Sequence, residues 1–161
     1  MSKFNRLGFT LLELLLVIAI LGILAALISG NFISSIKKGK DAARKADLAS
    51  IQRGLELYYE DHQIYPTAIT FGSELSSTNS DNVKRVYMQK IPDDPRGGNI
   101  HYEYISSDGT QYQLYACMEH SGQILPVISK DYTMTCATNC IDASNNTVVC
   151  VYGVSSSNIT P

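Results

Sequence analysis

The chain has 161 residues, 45 % of them hydrophobic, and carries thirteen basic against fifteen acidic residues for a net charge of −2. Once a long amino-terminal helix is set aside, this leaves enough for one small globular domain, and with an acidic head there is no electrostatic footprint for nucleic acid outside a basic neck. The total hides an asymmetry: Lys37, Lys38, Lys40, Arg44, Lys45 and Arg53 face only Asp41 and Asp47, locally +4, whereas beyond Gly54 twelve acidic residues meet five basic ones, locally −7. A basic neck below an acidic head suits electrostatic contact between copies, and equally a solvated helix followed by an acidic surface.

Met1 to Leu7 is short and basic through Lys3 and Arg6, and Gly8 precedes an apolar run. Phe9 to Ile28 is twenty residues with a single ionisable group, Glu13. As a helix rising ~1.5 Å per residue it spans roughly 30 Å, the hydrocarbon thickness of a bilayer. Leu and Ile dominate it, and Ala19, Ala25 and Ala26 favour the helix. The expectation is a membrane-embedded helix. A carboxylate at that depth is costly and is kept for a partner; the bland alternative is a glutamate close enough to the helix end to stay among headgroups. A secretory signal would show a shorter apolar core before a small-residue cleavage site, and here an amphipathic pattern continues past Ala25-Ala26.

Gly8-Phe9-Thr10-Leu11-Leu12-Glu13 followed by this helix resembles the prepilin signature of type IV pilins and the pseudopilins of type II secretion. The resemblance implies that a prepilin peptidase/methyltransferase cuts between Gly8 and Phe9 on the cytoplasmic side and methylates Phe9. It also implies that Glu13 pairs with the amino-terminal amine of a neighbouring subunit in a filament. That pairing would give the buried charge its counter-ion.

From Asn31 onward Phe32, Ile33, Ile36, Ala42, Ala43, Ala46, Leu48, Ile51, Leu55 and Tyr58 recur at three- and four-residue steps. Asp41 and Lys45 add a pair of opposite charge four apart. One helix from about Phe9 to Glu60 is predicted, its residues 9–30 in lipid and its residues 31–62 docking a head, residues 63–161. Gly30, Gly39 and Gly54 each weaken it by roughly 1 kcal/mol relative to Ala. The pilin family commonly has proline where Gly30 stands, which implies a loosening role there. Tyr65-Pro66 ends the helix, because the residue before proline is pushed to extended geometry. Glu56-Leu57-Tyr58-Tyr59 with Tyr65-Pro66 also resembles the helix end of these families.

Thr67 to Asn82 reads as a loop with at most a short helix around Phe71 to Leu75, and Val83 to Lys90 as a helical turn or an extended piece. Ile91-Pro92-Asp93-Asp94-Pro95-Arg96-Gly97-Gly98 is a turn cluster that resembles the "LPxDPWG" loop of major pseudopilins, with Arg96 in the tryptophan position. Asp93 and Asp94 are turn formers rather than a cation site. His101 to Ile105, the turn Ser106 to Gly109, and Gln111 to Cys117 form a hairpin. Ile124 to Ile128, broken by Pro126, reads as an edge strand, Val148 to Tyr152 as the last strand, and Ser155 to Pro161 as a frayed tail. The fold class is α+β: a long helix packed on a small antiparallel sheet with a cysteine-rich carboxy-terminal loop.

Cys117, Cys136, Cys140 and Cys150 read as two disulfides in an oxidising compartment. Three pairings are possible; the preferred ones join Cys117 to Cys136 or Cys140 and the remaining cysteine to Cys150, stapling the loop from Ser129 to Thr147. A zinc site fits only Cys136-x3-Cys140. His62, His101 and His120 form no metal spacing, and no nucleophile elbow, triad or phosphate loop is present. No enzyme, cofactor or metal is therefore expected. Secretion pseudopilins typically carry a calcium loop near the carboxy terminus, and without an acidic cluster there the sequence leans toward a pilin.

The expected function is a structural subunit of a type IV pilus or pseudopilus, polymerised through its amino-terminal helix. A secretion or DNA-uptake pseudopilin is the close alternative, and a single-pass anchored extracellular binding domain the distant one. The resemblance implies as partners other copies of the chain, the prepilin peptidase, an inner-membrane assembly platform, and the membrane before assembly. Nucleic acid enters only for a DNA-uptake pilin. The amino terminus would be cytoplasmic and the head exported, to a cell-surface or periplasmic filament after assembly.

Overall fold

The computed structural model describes residues 9–78, 82–98, 100–122, 124–125, 132–142 and 146–156. It divides into two compact units, Met1–Ile36 and Lys37–Pro161. One helix, α1 (Leu11–His62), supplies most of the first unit and the start of the second. Thr10 opens it: its hydroxyl accepts the Glu13 N–H at 3.2 Å and its carbonyl the Leu14 N–H at 3.3 Å, satisfying donors a helix start leaves free. In the first unit the large apolar side chains from Phe9 to Leu27 are between 42 and 82 % exposed. Among the described residues no single helix is long and apolar enough to cross a membrane, while Leu11–Leu27 and Phe32–His62 taken together pass by length and composition.

In the second unit Leu48, Ile51 and Leu55 project from α1 into a core with Tyr65, Leu75, Ile91, Tyr102, Tyr112, Leu114 and Met118. The eight strands are β1 (Leu75–Thr78), β2 (Lys84–Met88), β3 (Glu103–Ile105), β4 (Gln113–Cys117), β5 (Ile124–Leu125), β6 (Asn139–Asp142), β7 (Thr147–Val149) and β8 (Val151–Ser155). They make a β1-β2 hairpin, an antiparallel β3-β4-β8 sheet, and a small β5-β6-β7 sheet whose β5–β6 pairing is parallel. The architecture is thus α+β with a long helix and a small antiparallel sheet, as expected.

Tyrosines fix the sheet to the helix. The Tyr102 hydroxyl donates to Asp47 at 2.8 Å, and those of Tyr65 and Tyr112 share the Glu56 carboxylate at 2.9 and 3.2 Å. Burial, and then the neighbouring carboxylate, push all three phenols well above their ordinary range, so they stay neutral donors.

Several expectations require correction. The helix ends at His62, at the expected bound, but what ends it is Gln63, which turns left-handed at φ 57° while its N–H still bonds the Tyr59 carbonyl at 2.7 Å, and not Tyr65-Pro66 further on. The stretch read as loop or short helix around Leu75 is strand β1, since Leu75 to Thr78 pairs with Lys84 to Met88. The single last strand is two strands in different sheets, split at Cys150, whose N–H bonds Thr138 and whose carbonyl accepts from Met118. The loop taken to run from Ser129 to Thr147 contains β6. Ser155 lies in β8 and Ser156 is 1 % exposed, its N–H bonded to the Tyr112 carbonyl, so the tail starts later than expected. Pro126 to Ile128 and the tail beyond Ser156 lie outside the described residues.

Candidate functional site

Of the residues expected to act in processing and assembly, Gly8 lies outside the described residues, Phe9 is 76 % exposed, and Glu13 sits in the first turn of α1. Thr10 places them. As the helix cap it leaves Phe9 just before the first turn, with Glu13 three residues on and its amide held by the Thr10 hydroxyl. Glu13 is the one ionisable residue from Phe9 to Ile28.

In the second unit the structure assembles a charge cluster that sequence reasoning missed. Arg44 is fully buried on α1, with Nη1 donating to Asp41 Oδ1 at 2.6 Å, Nε to Asp94 Oδ2 at 2.8 Å, Nη2 to Asp94 Oδ1 at 3.1 Å, and Nη2 also to Glu119 Oε1. The two oxygens of Asp41 accept the backbone N–H groups of Glu119 and His120, each at 2.9 Å. Arg96 adds its backbone N–H and side chain to Asp94 at 2.8 to 3.2 Å, and its Nη2 reaches the Cys117 carbonyl at 3.2 Å. Burial alone would lower the Arg44 pKa, but the hydrogen bonds it donates to Asp94 and Glu119, with the charges of those carboxylates, outweigh it and raise it. Burial pulls Asp94 upward, and Arg44 with Arg96 overcomes it and holds the carboxyl at about 2.

The cluster explains two departures from expectation. Ala42, Ala43 and Ala46, read as part of the docking face, are exposed, while Asp41 and Arg44 point inward. Arg96, in the tryptophan position of the pseudopilin loop, braces that loop by charge. A signal was available: residues 41, 44, 48, 51 and 55 fall at helical steps, so a buried stripe through Leu48 and Leu55 carries Asp41 and Arg44 with it. Asp93 and Asp94 are both engaged, Asp93 with His101 at 2.7 Å and with the Asp94 N–H at 2.8 Å.

The cysteines pair Cys117 with Cys136 and Cys140 with Cys150, at Cα separations of 5.4 and 4.9 Å. None is free, so no thiolate remains for the alternative zinc site.

Residues 3–29 match the family profile described as the prokaryotic N-terminal methylation motif, and residues 31–122 match that of type II secretion system (T2SS), protein G. The chain belongs to the protein G family of type II secretion. Proteins named type II secretion system core protein G resemble it at 32 % identity over 105 residues in Vibrio cholerae serotype O1, covering 62 % of this chain and 70 % of that one. In Pseudomonas aeruginosa the figures are 32 % over 124 residues, 72 % and 85 %, and in Escherichia coli K12 30 % over 98 residues, 57 % and 68 %. No solved structure gives a significant match. The protein is therefore a structural pseudopilin subunit and not an enzyme, and the match falls on the secretion side of the pilin and pseudopilin readings.

Among the described residues no group of three or more His, Cys, Asp or Glu side chains could hold a metal ion. Calcium takes six to eight oxygens, with carboxylates supplying the charge. Residues 121–161 hold only two carboxylates, Asp131 and Asp142, and the two disulfides occupy the same region. The family match ends at residue 122, before it.

Proposed function

We propose that this pseudopilin is made as a precursor, cut between Gly8 and Phe9, methylated on Phe9, and polymerised through its amino-terminal helix into the pseudopilus of a type II secretion system. The observation that carries this reading is an exposed apolar helix in the first unit, matched to the methylation motif, with Glu13 as its one ionisable group. An ion held among apolar side chains needs a counter-charge, and the amine freed at Phe9 of the next copy supplies one. The partners are then other copies, the prepilin peptidase and an inner-membrane assembly platform, with the membrane as host before assembly. Lys3 and Arg6 favour a cytoplasmic amino terminus, and two disulfides favour an oxidising compartment for the head.

Glu13→Val tests this. The variant should be processed to an N-methylated Phe9 terminus, read by mass spectrometry, and remain in the membrane, yet yield no filaments by electron microscopy of sheared material. Normal filament yield from Glu13→Val, or a wild-type chain still starting at Met1, would overturn the reading.

A further inference from the structure

After Arg6 the sequence holds a single ionisable side chain, Glu13, until Lys37; then Lys37, Lys38 and Lys40 follow almost together. The exposed apolar side chains of the first unit do not stop at Leu27, for Phe32, Ile33 and Ile36 are 62, 64 and 44 % exposed. From Leu11 to Ile36 the helix rises roughly 40 Å at ~1.5 Å per residue. A bilayer's hydrocarbon layer is ~30 Å thick, and ~40–45 Å with its headgroups. Apolar surface of that length runs from one headgroup layer into the other, and Lys37 is the next residue. The head itself makes no use of these lysines. Lys37 and Lys38 are exposed and Lys40 is half-buried, and among the described residues none of the three is ion-paired with a carboxylate. Asp41, the acid beside them in sequence, is buried and holds Arg44 at 2.6 Å and the Glu119 and His120 amides.

We propose that Lys37, Lys38 and Lys40 bind anionic phospholipid headgroups of the leaflet far from the amino terminus, and so set the depth of the chain in the membrane before assembly. The inference rests on the membrane stage of the function proposed above. Cleavage after Gly8 removes Lys3 and Arg6 with the leader, which leaves these lysines as the only cationic side chains adjoining the apolar helix. Their aliphatic stems lie along apolar surface while the ammonium groups stay at the phosphates. A lysine held near an anionic surface enriches that lipid about fivefold, and the attraction fades within a Debye length, ~8 Å in physiological salt. It therefore requires lysines at headgroup level and a net negative lipid. The acidic residues of a second copy are the rival partner; the position of the lysines directly after an apolar span of bilayer length favours lipid.

The test is acylation of each lysine by an N-hydroxysuccinimide ester, read by mass spectrometry, on the full mature chain at one copy per lipid nanodisc. Discs contain phosphatidylcholine alone or phosphatidylcholine mixed with phosphatidylglycerol, and Lys84 and Lys90, exposed in the head, serve as references. In anionic discs Lys37, Lys38 and Lys40 should label at least ~5-fold more slowly than in zwitterionic discs, while Lys84 and Lys90 change by less than ~2-fold. Molar salt should abolish the difference. The triple variant Lys37→Gln, Lys38→Gln, Lys40→Gln should still enter the discs but lose the enrichment of bound phosphatidylglycerol that native mass spectrometry counts on the wild type. Equal labelling in the two discs, slowing shared by Lys84 and Lys90, or enrichment kept by the triple variant would overturn the proposal. So would protection given by glycerol phosphate in phosphatidylcholine discs, or protection that needs two copies per disc and so assigns the lysines to a second chain. A chain that enters neither disc overturns the membrane stage and the proposal with it. A chain that enters both with its lysines equally labelled overturns this proposal alone.

Discussion

Two parts of the head are built by opposite means. From Asp41 to Met118, with β8, the chain folds around a core in which Leu48, Leu55, Leu114 and Ala116 are wholly buried, and it closes one end of that core with the Arg44 cluster. Between residues 121 and 149 Cys140 is buried, and two disulfides tie the stretch to Cys117 and Cys150. A head of this size has limited apolar surface to invest, and disulfides let it carry an extra lobe without enlarging the core. The two parts should therefore fail under different stresses.

The largest effect on the core side is expected from Arg44→Met. The methionine fills similar space, but Asp41, Asp94 and Glu119 lose the guanidinium they share, and Arg96 reaches Asp94 and Glu119. Removing one member of a buried ion network typically costs about 3–5 kcal/mol, a large share of a small domain's stability. Urea unfolding of the oxidised chain should show this loss with both disulfides intact. A loss below ~1 kcal/mol would mean the cluster is solvated and does not hold the core.

Acid should attack the same contact more gently. Asp94 is held at about 2 by Arg44 and Arg96, below the usual value for an unfolded aspartate. Its contribution is thus fully present above pH ~4 and is lost as pH falls toward ~2, amounting to about 2 kcal/mol. The urea midpoint should drop across that window, and Asp94→Asn should flatten the drop. Reducing agent should leave the slope unchanged in the core, because the lobe contributes no part of the pair.

The division was partly legible in the sequence. The periodicity from Leu48 to Tyr58, the hairpin through Ser106 to Gly109 and the turn at Gly97-Gly98 follow local rules, and the structure keeps them. Gly109 adopts φ 76°, and any Cβ there would lie 2.8 Å from the Tyr65 carbonyl, so its glycine serves the turn and the close approach together. What local rules miss is distant partnership. Arg44 finds Asp94 fifty residues away, and nothing in the neighbourhood of either states that the charge will be buried. Cys150 likewise sits in a run of β-formers that alone would continue as one strand. A disulfide to Cys140, with hydrogen bonds to Thr138 and Met118, breaks it into β7 and β8. The expectation for Gly8 rests on the motif, and that for Glu13 on the motif together with its lone charge in an apolar run.

The smallest effect concerns the other end of the core, where α1 meets the β1-β2 hairpin. Gly54 is buried mid-helix, and a Cβ added there would lie 3.0 Å from the Met88 methyl and 3.6 Å from Leu75 Cδ2. Alanine gains up to about 1 kcal/mol of helix propensity over glycine, and the nearest obstacle is the far end of a flexible side chain. Gly54→Ala should therefore shift stability by less than about 1 kcal/mol, with the sign set by how easily the Met88 methyl swings aside. Valine adds two further carbons where the methyl has already given way, and Gly54→Val should cost about 1–3 kcal/mol. Hydrogen exchange should place the change in Leu75–Thr78 and Lys84–Met88 and leave residues 132–142 untouched. Faster exchange in the lobe of a Gly54→Val chain with both disulfides intact would show that it leans on the core's packing after all, erasing the contrast between the two parts.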